Sequence, residues 1–192
     1  MKRQTIIKYN NIILRDLSYD DIEIIRTWRN DSNNNKYLKN IGEVSIKQQE
    51  QWYKRYLDSN DEIIFVIEEN KMLNRTVGSL ALYNILSNTA EFGHMLIGDK
   101  DAHGKGIGKK SLIMLLYYAF KILKMEKVYC YVNKDNMSAL INYVNIGFYI
   151  IGARKSNSLI GGVDFELKID SERFKNINHN LEKDIIIDSN VG

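Results

Sequence analysis

With 192 residues and no internal repeat or linker, the chain is long enough for one domain with a real core. Its 27 Lys and Arg against 24 Asp and Glu leave a formal charge of +3, with no basic block dense enough to make nucleic acid a partner. No apolar run approaches the roughly 18 residues of a membrane span, and the opening Met1-Lys2-Arg3-Gln4-Thr5-Ile6 is too polar for a secretory signal.

Residues 12–17 read as a first strand. Ser18 with Asp21 forms a capping-box-like start for a helix through Arg29, whose Ile22, Ile25 and Trp28 recur at helical spacing. An asparagine-rich stretch, 30–35, breaks that pattern. Ser45 and Gln48 predict a second cap, and a helix over 48–57 carries Trp52, Tyr53 and Tyr56. Strands follow at 63–67, 76–83 and 89–97; a short turn at Ser87-Asn88 joins the last two, and the three form an antiparallel meander. A long helix starts near Ile107, with Leu112, Leu115, Leu116, Ala119 and Leu123 as its buried stripe. A strand at 127–132 and a helix from Asn136 come next. Two strands, 148–153 and 163–169, flank Gly161-Gly162. The pattern fades from Ser171. Residues 172–183 suggest a short helix, Ile185-Ile186-Ile187 can pack on the body or on a second copy, and the last residues are expected to be mobile. Residues 1–170 are therefore one domain and 171–192 a tail. Cys130 is the only cysteine and lies in an apolar strand, so it reads as core. A lone cysteine makes no internal disulfide and suits a reducing cytoplasm. The lack of proline amid abundant Asn, Ile, Lys and Tyr suggests an AT-rich, bacterial genome.

His103-Gly104-Lys105-Gly106-Ile107-Gly108 sits between a strand and the start of a helix. Alternate glycines remove the Cβ atoms that keep a ligand off the backbone. The first amides of a helix lack partners and carry the positive end of its dipole. Such a junction binds a phosphate or diphosphate, and Lys105, Lys109 and Lys110 add charge. The spacing excludes a dinucleotide fingerprint, G-x-G-x-x-G, and a nucleoside-triphosphate loop, G-x-x-x-x-G-K-[ST]. A turn that only caps the helix is the alternative.

The loop resembles the acetyl-CoA loop of the GNAT N-acetyltransferases, R/Q-x-x-G-x-G/A. Asn136, Ala139, Tyr143, Gly147 and Phe148 are similar to that family's second signature, N-x-x-A-x-x-L-Y-x-x-x-G-F. His103 stands at the Arg/Gln position and Asn142 at the Leu. The resemblance covers residues 10–170. It implies a mixed α/β fold (α+β) with a central, mostly antiparallel sheet, splayed between its fourth and fifth strands and flanked by helices. It implies acetyl-CoA as cofactor, held by the loop from His103 to Lys109, by the backbone of Met95, Leu96 and Ile97, and by Asn136, which also suits a helix cap. No metal is implied.

The implied reaction moves an acetyl group from sulfur to a primary amine. An alkylammonium of pKa about 10.4 is neutral in only about one molecule per thousand at pH 7, so a proton must be removed. The resemblance makes Tyr143 the acid for the departing thiolate, with packing alone as the alternative. Glu91 is the preferred base; His94 or ordered water are the alternatives, and strand alternation sets Glu91 and His94 on opposite faces. Trp28, Arg29 and Asn30 look like the acceptor-pocket triplet of nucleotide-amino-sugar acetyltransferases. In that reading Arg29 meets a substrate phosphate and Trp28 stacks on a ring; a core Trp with a solvated Arg is the alternative. The expected acceptor is a small-molecule amine, with a homodimer possible. Polyamine or ribosomal-protein N-terminal acetylation, and non-catalytic binding of acetyl-CoA, are the other readings.

Overall fold

The computed structural model describes residues 4–180 and 182–190. Its elements, in chain order, begin with strands β1 (Gln4–Tyr9) and β2 (Ile12–Asp16), helices α1 (Ile22–Asn30), α2 (Ser32–Asn35) and α3 (Ile46–Asp58). Strands β3 (Ile63–Glu69), β4 (Arg75–Tyr83) and β5 (Thr89–Ile97) lead to helix α4 (Ile107–Lys121). Strand β6 (Lys127–Asn133), helix α5 (Met137–Ile146), strands β7 (Tyr149–Lys155) and β8 (Val163–Asp170), helix α6 (Ser171–Asn178) and strand β9 (Ile186–Asn190) complete the order.

The nine strands form one sheet in the order β7-β8-β6-β5-β4-β3-β2-β1-β9. Every pairing is antiparallel except β5 with β6. A parallel pair needs a crossover, and α4 supplies it. Helix α4 is buried nearly all round, through Leu112, Ile113, Met114, Leu115, Leu116, Tyr118 and Ala119, because the sheet lies on one side and α5 and α6 on the other. Phe120 and Phe174 join α4 to α6 with ring centroids 5.3 Å apart. Leu123, expected in the stripe of α4, lies beyond its end and is only partly buried.

The opposite face is covered only in part. Leu17, Tyr56, Ile64, Val66 and Ala81 form a smaller core there, with Trp52 and Tyr53 of α3 and Ile25 of α1. Both predicted caps form. The Asp21 carboxylate accepts from the amide and hydroxyl of Ser18 at 2.9 and 2.7 Å. The Ser45 amide donates to Gln48 Oε1 at 2.8 Å while Ser45 Oγ accepts the Gln48 amide at 3.3 Å, an arrangement worth about 1 kcal/mol.

Both chain ends add strands that the sequence reading lacked. Strand β1 buries Thr5, Ile7 and Tyr9 at alternate positions and pairs with β2. Strand β9 pairs with β1 on the outer edge, with Ile187 partly buried against the core, so residues 186–190 belong to the sheet. Residues 191 and 192, expected to be mobile, lie outside the described residues.

Candidate active site

Strands β5 and β6 pair only at Thr89–Lys127, Ala90–Val128 and Glu91–Tyr129. Beyond Glu91 they part. A bulge accompanies the split: Ala81 opposes Gly93 while Ser79 opposes Leu96, so β5 holds one extra residue there, and His94 takes φ 50°. From Phe92 to Ile97 the edge of β5 that faces β6 has no ladder partner among the described residues. Apart from Ile97 O, which accepts from His103 Nε2, its backbone groups lack a strand partner and suit an extended ligand.

The anion loop lies at the far end of this edge. Gly104 and Gly106 adopt φ of 73° and 70°, a conformation costly for other residues, and no atom lies within 4 Å of where a Cβ would sit on either. Gly106 caps α4, and the first intrahelical bond is Lys110 N–H to Gly106 O, so the amides of Ile107, Gly108 and Lys109 have no helical acceptor. The Ile107 side chain is buried and pins this turn to the core, while Lys105 and Lys109 are exposed beside it. A Cβ on Gly108 would come within 3.0 Å of Met95 Cε, so glycine keeps α4 close to β5. His103 Nε2 lies 2.8 Å from Ile97 O, which ties the loop to the strand end. Open space over bare amides, flanked by lysines, fits the diphosphate of coenzyme A, and the unpaired β5 edge fits its pantetheine arm.

Tyr143, on α5, reaches the same region. Its ring meets Phe92 of β5 edge-on at 5.4 Å and Phe148 at 5.9 Å. Burial, with a smaller effect of Cys130, pushes its phenol well above the ordinary tyrosine range, so it stays protonated. Asn136 caps α5: its Oδ1 accepts the Ala139 amide at 3.3 Å, so any ligand contact falls to its amide nitrogen.

Glu91 and the groups that hold it lie on the opposite face of the sheet. Tyr83 Oη donates to Glu91 Oε1 at 2.5 Å, and Asn84 Nδ2 donates to Glu91 Oε2 at 3.0 Å. The Tyr83 ring also meets His94 edge-on at 5.2 Å. Simple alternation is therefore broken: the bulge brings Glu91 and His94 to one tyrosine and turns Met95 to the α4 face. The His94 side chain is exposed at its surface while its ring lies against Tyr83. Desolvation by the surrounding protein, with repulsion from Arg29 and Lys39, lowers its imidazole to about 4 and keeps it neutral. The chain had carried a signal for Tyr83, because a hairpin turning near Ser87 sets residue 83 opposite residue 91.

A strap of loop roofs this face. Asn40 N–H donates to Asn157 O at 2.9 Å, Leu159 N–H to Leu38 O at 3.2 Å, and Tyr37 Oη to Asp135 O at 2.9 Å. Arg29 Nη2 holds the strap by donating to Lys39 O at 2.9 Å. Trp28 and Asn30 serve packing here. The Trp28 ring is buried across Gly98, where a Cβ would come within 2.1 Å of it, so no ring of a ligand can stack on that face. Asn30 is spent on Val44, donating to its carbonyl and accepting its amide, each at 2.9 Å.

A cleft with an anion-binding helix start on one face and a hydrogen-bonded carboxylate on the other defines a coenzyme A-dependent transferase. The chain belongs to the GNAT acetyltransferases: the family model described as "Acetyltransferase (GNAT) domain" matches residues 11–149. It is 28% identical over 136 residues to Acetyltransferase PseH of Campylobacter jejuni, covering 70% of this chain and 81% of that protein. It is 27% identical over 153 residues to the spermidine N(1)-acetyltransferase of Vibrio cholerae, covering 80% and 87%. The crystal structure of the Vibrio cholerae spermidine N-acetyltransferase with CoA and spermine superposes with a TM-score of 0.77 at 25% identity, over 85% of this chain and 98% of that one. The protein is an acyltransferase whose acetyl donor is acetyl-CoA. Among the described residues no helix is long and apolar enough to cross a membrane.

Proposed function

We propose that the acceptor is the primary amine of a small molecule that also carries negative charge, a nucleotide-linked amino sugar. Acetyl-CoA supplies the acetyl group as a thioester. The amides of residues 107–109, with Gly104, Gly106, Lys105, Lys109 and His103, hold its diphosphate end; the backbone of Met95, Leu96 and Ile97 and the amide of Asn136 hold its arm. Glu91 takes the proton of the acceptor ammonium, and Tyr143 delivers a proton to the thiolate.

One observation carries the choice of acceptor. Arg29 is half-buried, desolvation alone lowers its pKa, and no carboxylate pairs with it among the described residues. Arg15, Arg26 and Arg75 each hold a carboxylate at 2.7 Å or closer. An enclosed cation without a countercharge favours an anionic ligand, and Lys39 adds to its field. A polyamine is the second reading, favoured by the likeness to the spermidine enzyme.

The test is a thiol-release screen of nucleotide-linked 4-amino sugars, spermidine and N-terminal peptides. The sugar nucleotide is expected to win, and Arg29→Gln to lower its kcat/KM at least about tenfold without changing the KM of acetyl-CoA. Preference for spermidine, with Arg29→Gln harmless, would establish the polyamine reading. We also propose a bacterial cytoplasm as the working compartment. The exposed Met137, Ile141 and Val144 of α5 support a homodimer, which light scattering would read.

A further inference from the structure

We infer that Tyr83 is a further catalytic residue: its hydroxyl carries the proton of the acceptor ammonium to Glu91. The inference rests on the reading of Glu91 as proton acceptor. Three observations carry it. Tyr83 Oη already donates to Glu91 Oε1 at 2.5 Å, and a phenol oxygen that donates its hydrogen still accepts through its lone pairs. The other oxygen of Glu91 is held by Asn84, so the carboxylate is oriented with the phenol in front of it. Gly93 lies beneath the ring: a Cβ there would come within 2.8 Å of Tyr83 Cε1 and Oη, so glycine lets the hydroxyl rest against β5, next to the bulge where the strands part.

The step balances simply. The ammonium proton passes to the phenol oxygen while the phenol proton passes to Glu91 Oε1. The nitrogen keeps its electron pair, Tyr83 ends unchanged, and Glu91 ends neutral and returns its proton to water. Burial and the bond to Glu91 hold the phenol well above its ordinary value, so Tyr83 rests protonated and acts only as a relay. The groups around it are Glu91 and His94 of β5, Cys130 of β6, Arg154 of β7, and Tyr53 and Tyr56 of α3.

The test is kcat against pH for wild type, Tyr83→Phe and Glu91→Gln, with a nucleotide-linked 4-amino sugar or spermidine, whichever wild type turns over. Tyr83→Phe keeps the ring on Gly93 and is expected to lower kcat at pH 7 by about 100-fold. Its acetyl-CoA KM should stay within about twofold, and its rate should recover towards pH 10, where the amine is neutral unaided. Glu91→Gln should behave alike. In mixtures of light and heavy water the wild-type rate should curve with deuterium content, as two moving protons require, and that of Tyr83→Phe should be linear. Wild-type kcat in Tyr83→Phe beside a loss in Glu91→Gln would overturn the relay and leave Glu91 as base. An equal loss at every pH, or a linear wild-type response, would reduce Tyr83 to a positioning residue. Two unaffected variants would remove Glu91 itself, and no turnover of either amine would remove the amine reading with the relay.

Discussion

His103 Nε2 stands 2.8 Å from the carbonyl oxygen of Ile97, joining the first residue of the anion loop to the last residue of β5. A carbonyl only accepts, so Nε2 donates, and in a neutral ring Nδ1 is left as an acceptor. His103 thus holds the loop in place where the family resemblance has an arginine or glutamine. His103→Ala should weaken acetyl-CoA binding about five- to tenfold, the worth of one net hydrogen bond. His103→Gln, able to donate to the same carbonyl, should recover most of it. Calorimetric titration reads both.

The loop glycines make different demands. Gly106 needs a left-handed backbone in open space, whereas Gly108 needs room beneath Met95 and Ile97. Gly106→Val and Gly108→Val should each weaken acetyl-CoA binding by about 100-fold or more, the first through strain and obstruction of the amides, the second by pushing α4 off β5. Unchanged affinity in both, by the same titration, would refute the diphosphate site.

Tyr143→Phe leaves the contacts with Phe92 and Phe148 intact and removes only the hydroxyl. Loss of a positioned acid should lower kcat about 100-fold. Because burial raises the phenol, its protonated form persists as pH rises, and wild-type kcat should show no fall from this group between pH 6 and about 10. A kcat within about twofold of wild type would leave Tyr143 a packing residue.

Arg15 grips the Asp21 carboxylate through both terminal nitrogens at 2.7 Å and Glu68 through Nε at 2.7 Å, locking the start of α1 to β2 and β3. Burial pushes the Asp21 carboxyl up, but hydrogen bonds from Arg15 and Ser18 outweigh it and leave the value lowered. A lowered folded pKa means that this stabilisation is complete above the unfolded value, near 3.9, and is lost as pH falls through the folded one. Asp21→Asn should cost about 2 kcal/mol at pH 7, less than a fully buried pair because Arg15 keeps Glu68. Urea unfolding should show the gap from wild type closing as pH falls below the unfolded value.

The glycine loop, the Ser45 cap and the Asn136 helix were legible because each is written within a few neighbouring residues. Strand β1 is not legible in the sequence, although Thr5, Ile7 and Tyr9 alternate with Ile6 and Lys8, since so short a stretch offers little periodicity until β2 and β9 flank it. The contacts of Trp28 with Gly98 and of Asn30 with Val44 were not legible, because those partners are distant in the chain.

The chain alone pointed to a phosphate-bearing ligand and a mixed sheet, because bare amides at a helix start and apolar periodicity are properties of adjacent residues; the resemblance to the family made that ligand acetyl-CoA. Only the tertiary structure decided which groups gather around Glu91. One extra residue in β5, visible only against the register of β4, turns His94 towards Tyr83 and Met95 away, and the parting of β5 from β6 opens the space between them. Side-chain direction in a strand follows pairing, and pairing is set by the partner strand.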